Sequence, residues 1–330
     1  MNTVDSGRRF FSRPRVVVSK CLGFDAVRYN GAIIPCEFVD RLRGTVDFFP
    51  VCPEMEIGLG TPRDPIHIAR RGNKDILIQP ATGRELTESM NRFSEKFLSS
   101  LTAVDGFILK SRSPSCGIKE VKIHSDKEKS PAVGKGPGFF GGKVLESYPG
   151  LAIEDEGRLL NLKIREHFLT RIFAFAAFRE IRKSGSMGQL VQFQAQNKLL
   201  LMSYSQKEMR LLGKIVANHE KQPFEKVATE YALHLQMALL KPSRDSNNIN
   251  TLMHALGYFS KKVPPREKKY FLGMLEKYRN KRVMLPVPVG ILRGWVYRFE
   301  EPYLMGQTFF EPYPEELVEI FDSGRGREIG

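Results

Sequence analysis

Three short apolar runs in the first half of the chain constrain its fold more than any other feature. Their sequences are RVVVS at residues 15–19, VDFFPV at 46–51 and GFILK at 106–110. Turn-rich or helical segments separate the runs. One of these segments, residues 84–101, repeats apolar side chains at the three- and four-residue spacing of an amphipathic helix. Short apolar runs that alternate with such segments are typical of a parallel α/β sheet.

The second half of the chain has helical periodicity and few strand-like runs. Helices are predicted at residues 159–183, 188–204, 206–218, 224–240, 248–259 and 265–278. The sequence therefore predicts an α/β N-terminal domain, with a parallel sheet and flanking helices, over residues 13–157. An all-α domain over residues 158–330 is predicted to follow it.

Composition excludes several classes of protein. The chain of 330 residues has four cysteines, too few for the disulfide framework of a secreted scaffold. No apolar run approaches the roughly 18 residues that a membrane-spanning helix needs. No apolar segment follows the basic residues at the N-terminus, as a secretory signal would require. We therefore expect a cytoplasmic protein with no membrane partner, and the sequence leaves its oligomeric state open.

Positive charge is concentrated in the predicted helical domain. Residues 158–298 contain 26 Lys and Arg against 9 Asp and Glu, in a chain of net charge +14. Aromatic residues are interleaved with them, namely Tyr258, Phe259, Tyr270, Trp295 and Tyr297. This mixture suits phosphate contacts combined with base stacking and favours nucleic acid as the partner. A solvated lysine-rich surface is the alternative. The predicted RNA-binding residues are Lys261, Lys262, Lys268, Lys269 and Arg293.

Three of the cysteines lie just beyond the predicted strands. Cys21 and Cys52 follow the first two runs, and Cys116 comes six residues after the third. Ligands of open parallel sheets bind at the carboxyl ends of the strands, where these thiols can converge on one site. Three separately buried cysteines are the alternative, because burial is the common state of a free cysteine. Cys36 lies near a predicted helix start and is interpreted as structural.

Groups that can carry protons flank two of these cysteines. Glu54 lies two residues after Cys52, and Ser113 and Ser115 lie just before Cys116. Proline or glycine beside each of these cysteines fixes irregular backbone near the thiol. A carboxylate and two hydroxyls held there can transfer protons to a metal-bound substrate. Glu54, Ser113 and Ser115 are therefore the candidate catalytic residues.

A glycine run, GPGFFG at residues 136–141, has the spacing of a dinucleotide-binding turn. Its context argues against that function, because a lysine-rich stretch precedes the run and Pro137 disfavours the turn. Residues 125–142 are interpreted as a long loop. Within it, the glycine run with Lys135 and Lys143 is interpreted as a flexible lid or an RNA-contacting loop.

The cysteine-containing segments resemble the signature blocks of the thiouracil desulfidase (TudS-like) family. These segments are SKCLGFDAVRYNG, PVCPEMEIGLGTPR and ILKSRSPSCG, and GKGPGFF and EDEGRL extend the resemblance over about residues 13–160. The second half, with FQAQNKLLLMSYS, MHALGYF and QTFFEPYP, is similar to the helical domain often fused to members of the family. Taken whole, the chain resembles the fused bacterial members that remove sulfur from 4-thiouridine in tRNA.

This resemblance implies a cofactor and a set of partners. It implies a [4Fe–4S] cluster held by Cys21, Cys52 and Cys116, with one iron not bound by cysteine. Many relatives have a further cysteine where this chain has Val27, and its absence here is consistent with an open iron site. The implied partners are tRNA and its thiolated uracil base.

The resemblance also implies a reaction, the non-redox conversion of 4-thiouridine to uridine with release of hydrosulfide. In that reaction Glu54 is expected to activate water or move its proton, while Ser113 and Ser115 donate to the ring. Two other functions remain open, a desulfidase of free thiouracil and a non-catalytic RNA-binding protein with structural cysteines. The basic helical domain favours tRNA over the free base, and Glu54 with Ser113 favours an enzyme.

Overall fold

The computed structural model describes residues 9–125 and 131–318. Over these residues the chain forms two compact units, which we call the sheet unit and the helical unit. The sheet unit contains residues 12–176 and 316–318, and the helical unit contains residues 177–315 and 9–11. The prediction of an α/β region followed by an all-α region is confirmed. Residues 158–176 pack with the sheet unit, whereas the sequence places the domain boundary at residue 157.

The strands of the sheet unit form two sheets. One is parallel, with the order β2-β1-β6-β9, and the other has the order β5-β4-β3-β7-β8. The strands are β1 (Arg15–Ser19), β2 (Asp47–Val51), β3 (His67–Arg71), β4 (Lys74–Gln79), β5 (Arg84–Glu85), β6 (Gly106–Leu109), β7 (Val121–Ser125), β8 (Ala132–Gly136) and β9 (Ala152–Asp155).

Helices flank the sheets and make up the helical unit. In the sheet unit they are α1 (Glu37–Leu42), α2 (Pro53–Glu56), α3 (Thr87–Ser100) and α4 (Phe139–Ser147), and α5 (Leu162–Ser184) continues into the helical unit. The others are α6 (Met187–Gln196), α7 (Lys198–Tyr204), α8 (Gln206–Ala217), α9 (Phe224–Ala238), α10 (Asp245–Gly257), α11 (Pro265–Arg279), α12 (Pro286–Arg298) and α13 (Pro302–Met305). Within the described ranges, no helix is long and apolar enough to cross a membrane.

The parallel sheet brings the ends of three strands to one edge. The central strand β1 is buried on both faces, with Val16, Val17 and Val18 fully inaccessible to solvent, as expected for a strand covered on both sides. Its register pairs Ser19 with Val51 of β2, and Val18 with a residue near the end of β6. The segments that follow β1, β2 and β6 therefore begin at the same edge of the sheet.

The second sheet corrects one prediction from the sequence. Residues 125–142 do not form one long loop, because β8 and the first turn of α4 lie within this range. Strand β8 pairs antiparallel with β7, and β7 pairs parallel with β3. Residues 126–130 of the predicted loop lie outside the described residues.

The helical unit packs around a core of large apolar side chains. Phe259, Phe271 and Trp295 are part of this core. The predicted helix 188–204 is in fact two helices, because the helical conformation is interrupted at Asn197, between α6 and α7. Helix α12 was not predicted, although Pro286 stands at its start, where a missing N–H leaves no helical hydrogen bond unmade.

Candidate functional site

Three cysteines line one cavity of about 400 Å³ at the carboxyl edge of the parallel sheet. Cys21, Cys52 and Cys116 all belong to its wall, together with residues at the ends of β1, β2 and β6. Cys36 does not line this cavity. It is buried and immediately precedes α1, where the sequence places it as a structural residue.

Backbone hydrogen bonds hold the first two cysteines near the ends of their strands. After β1, the N–H of Lys20 donates to Val51 O at 2.8 Å, and Ile34 N–H donates to the carbonyl of Cys21 at 2.8 Å. Cys52 precedes Pro53, the first residue of α2, and its carbonyl accepts two N–H groups from that short helix. Both thiols therefore extend from backbone that is fixed by the sheet.

The third cysteine lies in a turn that we call the Cys116 loop, residues 111–117, and the glycine run supports this loop. N–H groups of Gly138, Phe139 and Gly141 donate to carbonyls of the loop at 2.7–3.0 Å. A Cβ atom at Gly138 would lie 2.6–2.7 Å from three of these carbonyl oxygens, and one at Gly141 would lie 2.3 Å from the Gly117 carbonyl. Only glycine permits this approach. The run therefore packs tightly against the Cys116 loop and supports it, which corrects its interpretation as a flexible lid; contact of Lys135 and Lys143 with RNA stays a prediction.

Burial raises the pKa of all three cavity thiols. The pKa of Cys21 rises to about 12, with burial as the main cause and the nearby Cys52 sulfur as the second. Burial also raises the pKa of Cys52, and it raises that of Cys116 well above its usual range, against a hydrogen bond from Ser19. Metal ligation requires thiolates, so cationic metal must compensate their charge. This donor set fits an iron–sulfur cluster, which cysteine thiolates bind.

Among residues 9–125 and 131–318, no three His, Cys, Asp or Glu side chains lie close enough together to hold one metal ion.

Glu54 lines the cavity and is held by a nearly buried ion pair. Arg63 donates to Oε2 of Glu54 from Nε at 2.9 Å and from Nη2 at 2.6 Å. The side chains of Arg63 and Glu54 are only 4% and 14% exposed. Arg63 also donates to the carbonyls of Gly60 at 2.7 Å and Val27 at 3.0 Å. Sequence analysis did not identify Arg63 as the partner of Glu54.

The two candidate serines have different surroundings. Ser115 is fully buried, and its hydroxyl donates to Oε1 of Glu54 at 2.9 Å. Ser115 is not part of the cavity wall, and it therefore orients the Glu54 carboxylate. The sequence predicts instead that its hydroxyl donates to the substrate ring. Ser113 lines the cavity. Its oxygen accepts the N–H groups of Ser115 at 3.2 Å and Cys116 at 3.1 Å. A hydroxyl accepts about two hydrogen bonds and donates one. Both acceptor positions of Ser113 are occupied, so its O–H remains available to donate to a group in the cavity.

A second ion pair at the cavity was not predicted. Lys110, which follows β6 and lines the cavity, contacts the carboxylate of Glu156 through its ammonium group. Ser111 fixes the same carboxylate, through its N–H at 2.7 Å and its hydroxyl at 2.7 Å. The N–H of Lys110 donates to Ser19 Oγ at 2.9 Å, and Ser19 in turn contacts the Cys116 sulfur. This network joins the ends of β1 and β6 beneath the cysteines.

The predicted RNA-binding residues differ in whether their charged groups already have partners within the protein. Lys262 forms an ion pair with Glu301 at 3.0 Å, and Lys268 donates to the carbonyl of Ser260. Arg293 lies 3.9 and 3.8 Å from two carboxylates, those of Glu311 and Glu315. Lys261 and Lys269 are exposed and form no ion pair with the described part of the chain. The latter two lysines therefore have charge available for a partner.

The interleaved aromatic residues also fall into two groups. Phe259 and Trp295 belong to the core of the helical unit, with Phe259 fully buried and Trp295 7% exposed. They are therefore not available to stack on nucleic-acid bases, which corrects part of the aromatic pattern read from the sequence. Tyr270 and Tyr297 are 60% and 53% exposed, and Tyr258 stacks on Tyr303 with ring centroids 5.2 Å apart.

Two family models match the chain. Residues 16–156 match a model described as 2-thiouracil desulfurase, and residues 198–314 match one described as a protein of unknown function, DUF1722. The cavity and its three cysteines all lie within the first of these segments.

Similar proteins match one or other part of the chain. The chain is 34% identical to the uncharacterized protein YbbK of Bacillus subtilis, over 31% of this chain and 72% of YbbK. It is 28% identical to the uncharacterized protein YbgA of Escherichia coli, over 47% of this chain and 93% of YbgA. A solved structure of the [4Fe-4S]-dependent thiouracil desulfidase TudS is 26% identical, with a TM-score of 0.36. That alignment covers 44% of this chain and 93% of TudS.

Proposed function

Because the chain belongs to the 2-thiouracil desulfurase family through residues 16–156, we propose that it removes sulfur from a thiolated uracil and that its substrate is 4-thiouridine in tRNA. The observation that carries this proposal is the convergence of Cys21, Cys52 and Cys116 on one cavity that also contains Glu54 and Ser113. The reaction replaces the thiocarbonyl sulfur with the oxygen of water and releases hydrosulfide. Carbon keeps its oxidation state in this exchange, so the reaction needs no external electron donor or acceptor.

The proposed cofactor is a [4Fe–4S] cluster bound by the three cavity cysteines, with one iron not bound by cysteine. When bound, the cluster supplies a Lewis-acidic iron, to which a soft thiocarbonyl sulfur can bind. Ser19 supports this site from below, since its hydroxyl contacts the Cys116 sulfur and its oxygen fixes the chain after β6. Cys36 has no part in cofactor binding in this proposal.

Glu54 is proposed to hold and deprotonate the attacking water. A carboxylate has about four acceptor positions, and two donors from Arg63 and one from Ser115 occupy three of them. One position remains for a water molecule in the cavity. Arg63 and Ser115 are positioning residues in this proposal, because they act through Glu54 and fix the direction in which its free lone pair points.

Ser113 is proposed to donate its hydroxyl proton to the substrate ring. Two backbone N–H groups already occupy its oxygen, so donation is the remaining interaction that the hydroxyl offers. Donation to a ring nitrogen or exocyclic atom stabilises the negative charge that develops when water adds to the ring carbon.

The helical unit is proposed to bind the tRNA. Lys261 and Lys269, which are exposed and have no ion-pair partner within residues 9–125 and 131–318, supply phosphate contacts, and the exposed rings of Tyr270 and Tyr297 supply stacking surfaces. The target base must leave its stacked position to reach thiols buried at the sheet edge, at a cost of a few kcal/mol. Contacts between the basic unit and the tRNA backbone would offset that cost.

The central experiment tests the reaction directly. The full-length protein is loaded with iron and sulfide without oxygen, and is incubated in parallel with 4-thiouridine-containing tRNA and with free thiouracil. We expect uridine in the tRNA and an equal amount of hydrosulfide. Turnover of free thiouracil alone would assign the enzyme to the free base. Iron binding without turnover of either compound would favour a non-catalytic protein.

Matched variants test the residues. Glu54→Gln and Ser113→Ala should keep the iron content and lose turnover by about 10²-fold or more, as expected for proton-transfer residues. The control is Cys36→Ala, which alters a buried residue outside the cavity and should keep both iron and turnover. Full activity of Glu54→Gln would remove the carboxylate from the proposed reaction.

A charge-reversal pair tests the tRNA surface. Lys261→Glu with Lys269→Glu should weaken tRNA binding and flatten its salt dependence by about 0.7–0.9 in logarithmic slope for each lost phosphate contact. The matched control reverses Lys207 and Lys214, two exposed lysines of α8 that form no ion pair with the described residues, and changes the net charge equally. Equal weakening by both pairs would show that overall charge, and not the proposed surface, governs binding.

A further inference from the structure

One face of the second sheet carries a cluster of basic side chains. The opposite face packs on the core, where Ile68 of β3 pairs with Leu77 of β4 and with Ile123 of β7, and all three are buried. Successive residues of a strand point to opposite faces of a sheet, so the same register defines the residues on the other face. The basic residues there, which we call the basic face, are His67, Arg71, Lys74, Lys122, His124 and Lys135.

Two pairs of like charges lie directly opposite each other on the basic face. Lys122 pairs with Lys135 across β7 and β8, and Arg71 pairs with Lys74 across β3 and β4. Directly opposite residues of antiparallel strands have Cβ atoms about 4.5–5.5 Å apart, and like charges at such positions destabilise a sheet. The protein therefore keeps an arrangement of charge that a bound anion would relieve.

The other face of the same β3–β4 hairpin has balanced charges. There Arg70 lies opposite Asp75 and donates to its two carboxylate oxygens at 2.7 and 3.0 Å. On the basic face, Glu85 is the acidic residue among the described strand residues, and it lies 3.0 Å from Arg71. The three lysines of this face are exposed and have no ion-pair partner within residues 9–125 and 131–318. Their charge is therefore available to a partner of opposite sign.

The basic face is too wide for one small anion. Lys135 on β8 and Lys74 on β4 are three strands apart, and adjacent strands lie about 4.8 Å apart, so about 14 Å of sheet separates them. Along the strands, the levels of Lys122 and Lys74 differ by four residues, or about 13 Å. One phosphate cannot reach both ends of such a face, whereas an extended polyanion can.

We propose that the basic face binds the phosphate backbone of the RNA substrate, so that the sheet unit contacts tRNA through residues of its own. The identity of the RNA rests on the proposed function. The sequence indicates Lys135 as an RNA contact, and the register adds five basic residues from three other strands. The half-buried rings of His67 and His124, with centroids 5.0 Å apart, offer further donors beside the lysines. Lysines at such a surface bind phosphates and release the counterions of the nucleic acid.

An anionic membrane is the other extended polyanion that this charge would attract. Binding at a bilayer surface also buries apolar side chains. On the basic face, Ala69 is fully buried and Ile76 is only 7% exposed, so both offer little apolar surface to lipid. The composition of the face therefore favours RNA.

Binding of unmodified tRNA to the full-length protein tests the basic face without any turnover. In fluorescence anisotropy, Lys122→Gln with Lys135→Gln should weaken tRNA binding by about tenfold or more near 0.1 M salt, with a shallower salt dependence, because two phosphate contacts are lost. The matched control changes Lys96 of α3 and Lys163 of α5 to glutamine. Both are exposed, lie outside the second sheet and form no ion pair with the described residues. Equal weakening by the two pairs, or no weakening by the first, would overturn the proposal.

A single charge reversal separates binding from folding. Lys135→Glu places a carboxylate opposite Lys122, so it should slow hydrogen exchange of a β7 peptide while it weakens tRNA binding. Faster exchange than in the unchanged protein would refute the argument from like charges. Unchanged tRNA binding would refute the surface itself.

Two comparisons separate this proposal from its neighbours. If the glutamine variant of Lys122 and Lys135 loses tRNA affinity while the cluster-loaded protein releases no sulfide, the desulfidase is rejected and the RNA surface stands. Vesicles of phosphatidylserine and phosphatidylcholine in equal parts test the membrane alternative. Weaker vesicle binding with unchanged tRNA binding in that variant would assign the face to lipid and overturn the proposal.

Discussion

Replacement of Arg63 by methionine should destabilise the sheet unit strongly. Arg63 is 4% exposed, and its loss leaves the Glu54 carboxylate, 14% exposed, without its charge partner. Breaking a buried ion pair from one side costs about 3–5 kcal/mol in the free energy of unfolding. The Val27 carbonyl also loses a donor inside the protein, at about 1 kcal/mol or more. We therefore expect a loss of about 4–6 kcal/mol, a large part of the stability of an ordinary domain.

The double variant Arg63→Met with Glu54→Gln gives the decisive comparison. It removes the unpaired charge, so it should be more stable than Arg63→Met alone by about 1–3 kcal/mol. Stability is measured by hydrogen exchange of peptides from β1 and β2, which reports on the sheet unit alone. Arg92→Met, which breaks an exposed pair with Glu88 on α3, should change stability by less than about 1 kcal/mol. If the double variant is no more stable than Arg63→Met alone, the argument that the ion pair is desolvated is refuted.

Three further predictions concern the cysteines, the second ion pair and a half-buried tyrosine. Cys21→Ala should lose the iron that Cys36→Ala retains after anaerobic loading, as measured by iron and sulfide content. Lys110→Met should lower the melting temperature more than Lys110→Met combined with Glu156→Gln, because the single change leaves a half-buried carboxylate without its partner. Burial raises the pKa of Tyr303 to about 12. The unfolded chain loses this proton near pH 10, before the folded chain does, so the free energy of unfolding should be constant with respect to this group below about pH 10 and should fall as the pH rises toward 12. Tyr303→Phe should flatten that fall in denaturation curves recorded across this pH range.

Local sequence pattern was sufficient for β1, β2 and β6 of the parallel sheet, whereas its fourth strand, β9, was not predicted. The prediction for β1 matches the observed strand, because a continuous run of β-branched residues is typical of a strand buried on both faces. The second sheet was missed for a physical reason. Strand β8 has the sequence AVGKG and β3 has HIARR, and neither is a continuous apolar run. Strand β3 pairs with β7, about fifty residues farther along the chain, and β8 pairs with the same strand. A propensity-based reading cannot find such pairing.

The candidate site was predictable where it depends on the ends of strands. The cysteines follow three apolar runs, and the edge of a parallel sheet brings such positions together. The partners of the catalytic candidates were not predictable in this way. Arg63 and Glu54 are nine residues apart with a turn between them, and Lys110 and Glu156 are 46 residues apart. Neither separation follows a helical or strand period, so only the folded chain reveals these pairs.

The glycine run shows how a correct observation led to a wrong interpretation. Glycine permits both flexible backbone and very close packing, and the sequence does not indicate which use applies. The aromatic residues pose the same problem, since Trp295 and Tyr297 have similar basic neighbours in the chain but only Tyr297 is exposed. The face of a helix that packs into a core depends on its tertiary contacts, which the spacing of basic and aromatic residues does not encode.

The contact between the glycine run and the Cys116 loop bears on which substitutions the chain tolerates away from its cysteines. Carbonyls of the loop accept N–H groups from the start of α4, and the glycines let that helix lie against the loop. A Cβ atom at Gly138 or Gly141 would lie less than 3.0 Å from carbonyl oxygens of the loop, so even an alanine there must displace the loop or the helix. The position of the Cys116 sulfur therefore depends on two residues of another segment that carry no functional group of their own.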